Sequence, residues 1–446
     1  MTARGAALSL GALAGILAAS ALLSGPLASI EVGAAVPLGL AGLGAVVALS
    51  AFRPLVVAGV GFALLAVVKI EPAPVDVVLA TLMAVTVATR SVRPRVPAGI
   101  AGLLLAIGAL TFASAVNAVD STRALTYGGI TMYLVVLAVW LTWFFTDTRA
   151  TRIAITAYLA VSALSAAAVV LALYGHLPGS DALMYDAYRG QGLFKDPNVY
   201  SAFLVPPTVI ALEEIARPSL LPPKRWLTVP LFVLLAAGVV VAFSRAAWLN
   251  LALASTVVVT VTAFRRGGTK LAARAVGALA LAGVAGLTLL AATGSLDFLQ
   301  QRSRLETYDQ ERFGAQNVAF TRMTDHVLGF GPGQVEPNLD ISTHSLFARS
   351  AFEQGAIGLL LIAALMLATL YCAASFARRD GRLHGIGSAA LLGSWLGLCA
   401  NSFFIDTIHW RHLYVLAALI WVGFASRVTV PDSRNRPHRP TTDPWS

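Results

Sequence analysis

Apolar residues fill this chain in long runs rather than in alternation. Runs near the length of a bilayer crossing, about 20 residues, occur near 6–24, 34–51, 55–70, 74–89, 97–116, 125–145, 153–174, 198–214, 227–243, 246–264, 275–293, 346–375, 386–405 and 412–426. Backbone in hydrocarbon must satisfy its own hydrogen bonds, and a continuous apolar run does so as a helix. The period-2 pattern of barrel strands is absent. The chain is therefore expected to be an all-α, polytopic transmembrane helical bundle of 14 spans, or 12 if close pairs such as 55–70 and 74–89 are re-entrant. No polar stretch is long enough to build a second soluble domain, so residues 1–426 are read as one transmembrane domain. Residues 427–446, rich in Pro, Arg and Thr, read as a disordered tail. The start, MTARGAALSLGALAGILAASALLSG, has the basic and apolar parts of a signal peptide, but the many spans after it favour an uncleaved first helix.

Composition agrees with this class. A hydrophobic fraction of 57% and 12% charged residues, with a mean hydropathy of +0.76, do not suit a soluble domain. The net charge of +10 would ordinarily suggest nucleic acid, yet its distribution argues against that partner. Arg4, Arg53, Arg90 to Arg95, Arg149, Arg152, Arg217 to Arg225, Arg265 to Arg274, Arg378 to Arg382 and the tail arginines fall in alternate connections and hold 21 of the 32 basic residues. By the positive-inside rule these connections and both termini face the cytoplasm. The chain would then sit in the cytoplasmic (inner) membrane. Cys372 and Cys399 both lie in apolar runs and suggest neither a metal site nor a disulfide framework.

One connection breaks the pattern. Residues 294–345 are polar and carry Arg302, Arg304, Arg312, Arg322, His326 and His344. On the assigned topology this segment is outward-facing, and three other outward elements join it. The loop DAYRGQGLFKDPNVYSAF brings Arg189, Lys195, Asp196 and Asn198. The FSRAAW interruption brings Ser244 and Arg245. The stretch ISTHSLFARSAFEQGAIGLL puts His344 at the mouth of the next span, with Ser342 or Thr343 as a candidate helix cap. Glu353 lies deeper, where an acid needs a partner; Arg349, four residues earlier, is the structural candidate. SRLETYDQERFGAQNVAF reads as partly helical, and GFGPGQVEPN as a simple turn, since no strand precedes it and its glycine spacing is wrong for a nucleotide loop. Asp406, His409, Arg411 and His412 read with Trp410 as a membrane-interface belt.

Several arginines and one histidine at lipid level suit an anionic lipid headgroup. Guanidinium forks pair phosphate oxygens and stay charged, and a histidine can take a proton from a hydroxyl. Carboxylates at metal-ligand spacing are missing from these loops, so neither a metal nor another cofactor is expected.

In this order and spacing, RGQGLFKDPNVYSAFLVP, FSRAAWLNLALA, ERFGAQNVAF with GFGPGQ, and THSLFARSAFEQGAIGLLL make the chain resemble the O-antigen ligase and polymerase family of membrane glycosyltransferases, over about residues 185–410. The resemblance implies a GT-C-like helical fold with a lipid portal. It also implies inverting, metal-independent transfer of a glycan from a polyprenyl diphosphate carrier to a glycan, lipid or cell-wall acceptor. Carried over, Arg189, Arg245 and Arg312 would grip the diphosphate and His344 would act as base. Lys195, Asn198, Arg322 and Glu353, on the same outward elements, are read as candidate supporting residues. The chain departs from the family pattern at Ser345, where an asparagine is common, and at 314–318, where no aromatic follows the loop arginine. A ligase and a polymerase of lipid-linked repeat units share this chemistry, and both readings stay open. A transporter or flippase of lipid-linked glycans is the competing class; it would be expected to bury charge at mid-membrane.

Overall fold

The computed structural model describes residues 32–70, 72–173, 175, 179–290, 307–339 and 341–426. The first predicted span, Arg302, Arg304 and the tail lie outside the described residues. The helices are α1 (Val32–Phe52), α2 (Pro54–Ala63), α3 (Pro74–Thr89), α4 (Ala98–Ser114), α5 (Ser121–Phe144), α6 (Thr148–Leu173) and α7 (Pro197–Ala216). They continue with α8 (Arg225–Val240), α9 (Arg245–Leu290), α10 (Thr307–Arg322), α11 (Val335–Leu339), α12 (Leu346–Arg378), α13 (Ser388–Asn401) and α14 (Arg411–Ala425). Two short antiparallel strands, β1 (Arg382–Leu383) and β2 (Ile386–Gly387), connect α12 to α13.

This is an all-α polytopic bundle, as the apolar pattern predicts. Among the described residues, six helices are long and apolar enough to cross a membrane, and five apolar helices are shorter. Leu105, Leu281, Leu360 and Leu367 stand exposed on the helix exteriors, as a hydrocarbon solvent permits. The predicted span 246–264 and the described part of the next, 275–290, are two helical stretches of α9, which meet at a kink where Gly267 and Gly268 leave helical geometry.

Two features of the helices position the loops at the end of the bundle that carries the polar segment. The first is α7, whose start is fixed by Asp196 as N-cap and Pro197 in the first turn. Pro206 and Pro207 lie inside it. Pro207 has no N–H to give to the carbonyl four residues back. The Tyr158 hydroxyl of α6 donates to that Phe203 carbonyl instead, at 2.6 Å.

The second is a break in α12 at Gly355, where φ is +66° and ψ −168°. There the GFGPGQ segment docks backbone to backbone. Phe330 N donates to the Phe352 carbonyl at 3.0 Å and Gly331 N to the Glu353 carbonyl at 2.9 Å. The segment is thus more than the simple turn its sequence suggests. Gly355 sits in a region that residues with a Cβ avoid, and a Cβ there would lie 2.6 Å from the Val327 carbonyl. A Cβ on Gly329 would meet the Glu353 carbonyl carbon at 2.4 Å. Gly355→Ala is expected to cost about 1–3 kcal/mol, read as a lower melting temperature of the detergent-purified protein. An unchanged melting temperature would mean that this crossing is loose.

Ion pairs tie the helix ends at the end of the bundle away from the polar segment. Arg217, just past α7, donates to both carboxylate oxygens of Asp380 at 2.5 and 2.8 Å. Arg265 of α9 reaches the same carboxylate at 2.7 Å. Glu214 accepts from the backbone N–H groups of Ser219, Leu220 and Leu221. These are residues of the connections richest in Lys and Arg, so the basic set serves the fold as well as the topology.

Candidate active site

At the opposite end the elements expected to face outward surround one cavity of about 580 Å³. Arg189, Arg245, Arg312, His344 and Asn198 all line it, with Tyr185, Asp196, Pro197, Ala246, Leu249, Phe313, Phe404 and Ile405. Five of the eight residues singled out from sequence therefore share one space, although they span more than 150 positions of chain.

Each arginine reaches the cavity from a different element. Arg189 closes a tight hairpin whose backbone pairs Met184 with Gly190. Asp186 Oδ1 accepts from the N–H of Tyr188 and of Arg189, and Gly190 N donates to the Val241 carbonyl at 3.0 Å. The Arg189 guanidinium lies over the Tyr185 ring at 5.3 Å, and its Nε donates to the Ala242 carbonyl at 3.3 Å. Arg245 opens α9, directly after Phe243, which holds a left-handed φ of +49°, and the buried Ser244. Arg312 rides on α10, and its Nη2 donates to the Phe404 carbonyl at 2.5 Å. Gln316, one turn further along α10, donates to the Thr343 carbonyl at 2.8 Å. That bond joins α10 to the residue before the histidine.

His344 also has a left-handed backbone, with φ +46°. Such a φ is uncommon for a residue with a Cβ and is held only where the surroundings over-determine it. Here they do: Leu346 N donates to the Ser402 carbonyl at 3.0 Å and Gln316 holds the Thr343 carbonyl. Ser345, rather than Ser342 or Thr343, caps α12 by accepting from Ala348 N. The residue that stands where asparagine is common in the family therefore has a local task. Burial holds the His344 pKa down at about 4, helped by the Arg312 charge and opposed by Asp196 and Asp406. At neutral pH the imidazole is neutral and has a lone pair to offer.

Three supporting residues inferred from sequence lie outside the cavity lining. Lys195 is exposed beside it. Arg322 pairs with Asp325 at 3.2 Å and lies 4.5 Å over the Phe330 ring. Phe330 in turn stacks on Phe352 at 4.3 Å. Arg322 is therefore a lid on the docked GFGPGQ segment, which is a packing task. Glu353 is buried and meets Arg349 at 2.9 Å, the i, i+4 pair that the sequence offered.

Arg349 gathers three carboxylates: Glu353, Glu336 at 2.5 Å and Asp406 at 2.7 Å. Arg123 adds a second contact to Glu336 at 2.7 Å. This network locks α11 and the 402–410 turn onto α12, next to His344. It also corrects the interface-belt reading of the 402–412 turn. Asp406 pairs inward, Arg411 bonds Asp76, His409 packs edge-on against Tyr127, and His412 is buried. Charges at i and i+4 announced the first pair, but nothing local announced Asp406 or Glu336, which are brought in by tertiary folding. Tyr185 and Phe313 were missed for the same reason.

The arrangement defines a class: a multi-pass membrane protein whose bundle ends in a cavity lined by several arginines and one neutral histidine. Residues 230–363, from α8 into α12, match the family model described as O-antigen ligase. Arg245, Arg312 and His344 fall inside the matched stretch, while Arg189 and Asn198 precede it. No curated protein matches the chain significantly.

Proposed function

We propose that the protein transfers a glycan from a polyprenyl diphosphate carrier to an acceptor hydroxyl, as a ligase, at the outer face of the cytoplasmic membrane. The observation that carries this reading is the convergence of Arg189, Arg245 and Arg312 with His344 on one cavity. Its outward placement rests on the basic residues of the opposite connections.

The step balances as follows. The acceptor oxygen attacks the anomeric carbon as His344 takes its proton. The bond from that carbon to the phosphate oxygen breaks on the far face, with inversion, and its electron pair leaves on the diphosphate. The guanidiniums neutralise that growing charge, so the leaving group needs no protonation. The same contacts allow the charge compensation to come from side chains rather than from a bound metal.

The electrostatics of His344 give a pH signature. A depressed imidazole pKa keeps the base form available down to about pH 4 in the free protein. A bound diphosphate puts negative charge beside the ring, which favours the imidazolium and raises that pKa. The acidic limb of kcat/KM, which reports the free protein, should therefore fall near pH 4. The acidic limb of kcat should lie at higher pH. Limbs that coincide near 6.5 would remove His344 as the base.

A mass-spectrometric inventory of lipid-linked glycans tests the function itself, in cells lacking the protein and rescued by wild type or by His344→Ala. Long chains accumulating on the carrier support the ligase. Single repeat units accumulating instead identify a polymerase. No change in any lipid-linked species would return the transporter to first place.

A further inference from the structure

The cavity lining is not uniform in its chemistry. Ala246 and Leu249 lie within the first turns of α9, so they stand towards the apolar interior of the bundle. Each helical turn is about 5.4 Å, so Leu249 lies roughly a turn deeper than Arg245. Tyr185 and Asp196 come from the loop and cap that precede α7, Asn198 from its first turn, and Phe313 from α10 in the polar segment. Arg245 stands at the start of α9, beside Ala246, while Arg189 shares the hairpin of Tyr185 and Arg312 precedes Phe313 on α10. The lining thus offers apolar side chains, fixed positive charge and a polar and aromatic set, the three chemistries that a lipid diphosphate carrying a sugar presents.

The rim has two aromatic rings that the diphosphate chemistry does not use. Tyr185 is 59% exposed and Phe313 48% exposed, and both line the cavity. Tyr185 is presented by a backbone-locked hairpin: Tyr185 N donates to the Arg189 carbonyl at 2.8 Å, and Gln191 N and Gly192 N both donate to the Leu183 carbonyl. Gln191 Nε2 adds a bond to the Met184 carbonyl at 3.0 Å. A membrane-interface anchor would not need this rigidity, nor a place beneath a guanidinium that faces the cavity. Beside the rings stand the Asp196 carboxylate, whose Oδ1 already accepts from Asn198 N at 2.6 Å, and the Asn198 amide. A cavity of about 580 Å³ is that of a drug-sized ligand rather than of a diphosphate alone.

We infer that Tyr185 and Phe313 form a sugar-stacking rim that holds the saccharide of the donor next to its diphosphate, with Asp196 and Asn198 as hydroxyl partners. Pyranose rings present a face of C–H groups, which the negative face of an aromatic ring attracts. Their hydroxyls need donors and acceptors at the edge, which a carboxylate and an amide supply. This inference rests on the proposed donor and goes beyond it, because it assigns the residues that tell a loaded carrier from an empty one.

The test uses the full-length protein in detergent with two probes. One is a bare polyprenyl diphosphate. The other is the lipid-linked glycan extracted from cells lacking the protein. Tyr185→Ala and Phe313→Ala should each weaken the glycan-bearing lipid by about tenfold and leave the bare lipid within about twofold. Tyr185→Phe, which keeps the ring, should restore the loaded-carrier affinity. If Tyr185→Ala weakens both lipids alike, Tyr185 serves only to seat Arg189 and the rim is overturned. If neither lipid responds to either alanine, the rings are surface aromatics and the rim is again overturned. Failure of the wild type to bind the bare polyprenyl diphosphate would strike the donor reading itself, a result separate from any change in discrimination. Both rings are substantially exposed, and the hairpin bonds are made by backbone and by Gln191, so the variants should fold.

Discussion

Transfer by the His344→Ala variant should fall by about 10²–10⁴-fold, the range of a lost general base, while the protein still inserts and folds. The imidazole is half-buried, and no helix depends on its side chain. The measurement is single-turnover transfer from purified lipid-linked glycan, with circular dichroism and monodispersity of the variant as the folding control. Retained activity would remove the base assignment and leave the arginine set alone as the machinery. Arg312→Ala should give a comparable loss, because it removes a cavity charge together with the anchor from α10 to Phe404. Arg322→Ala should cost transfer much less, since that guanidinium covers Phe330 and Phe352 outside the cavity.

Arg349→Met should act through folding instead. Removing the guanidinium leaves Glu336, Glu353 and Asp406 together with the partner of all three deleted. Breaking a buried charge network from one side costs about 3–5 kcal/mol. The expected result is a large drop in melting temperature and in recovered folded protein. The double variant Arg349→Met with Glu353→Gln should recover part of the loss, because one uncompensated acid is gone. A melting temperature unchanged in Arg349→Met would show that water reaches the site and that the network contributes little. The two variants are separable in one experiment: one folds without transferring, the other transfers little because little of it folds.

The contrast between these residues explains what could be read from sequence. The spans were legible because hydrocarbon leaves a run of apolar residues one choice of backbone. Arg189, Arg245, Arg312 and His344 were legible because charge in such a chain is rare and these sit where the runs stop. Glu353 with Arg349 was legible as an i, i+4 pair, although its role as part of a scaffold was not. Asp406 and Glu336 were opaque, since one reaches Arg349 from a turn much later in the chain and the other from a separate short helix 13 residues earlier, neither at helical spacing. The docking of GFGPGQ was opaque for a different reason. It depends on carbonyls of Phe352 and Glu353 that are available only because α12 breaks at Gly355, and a lone glycine in an apolar helix does not announce a break.

The three cavity arginines stand on segments that otherwise belong to separate parts of the chain: a hairpin before α7, the start of α9, and α10. An anion seated among them would act as a removable rivet. By linkage, a ligand present at 100 times its Kd adds about 2.7 kcal/mol to whatever state it binds. A carrier diphosphate would then be a structural component of the loaded protein as well as its substrate. Its departure as product would leave the cavity mouth the least cohesive part of the molecule, at the moment when the finished glycan has to leave.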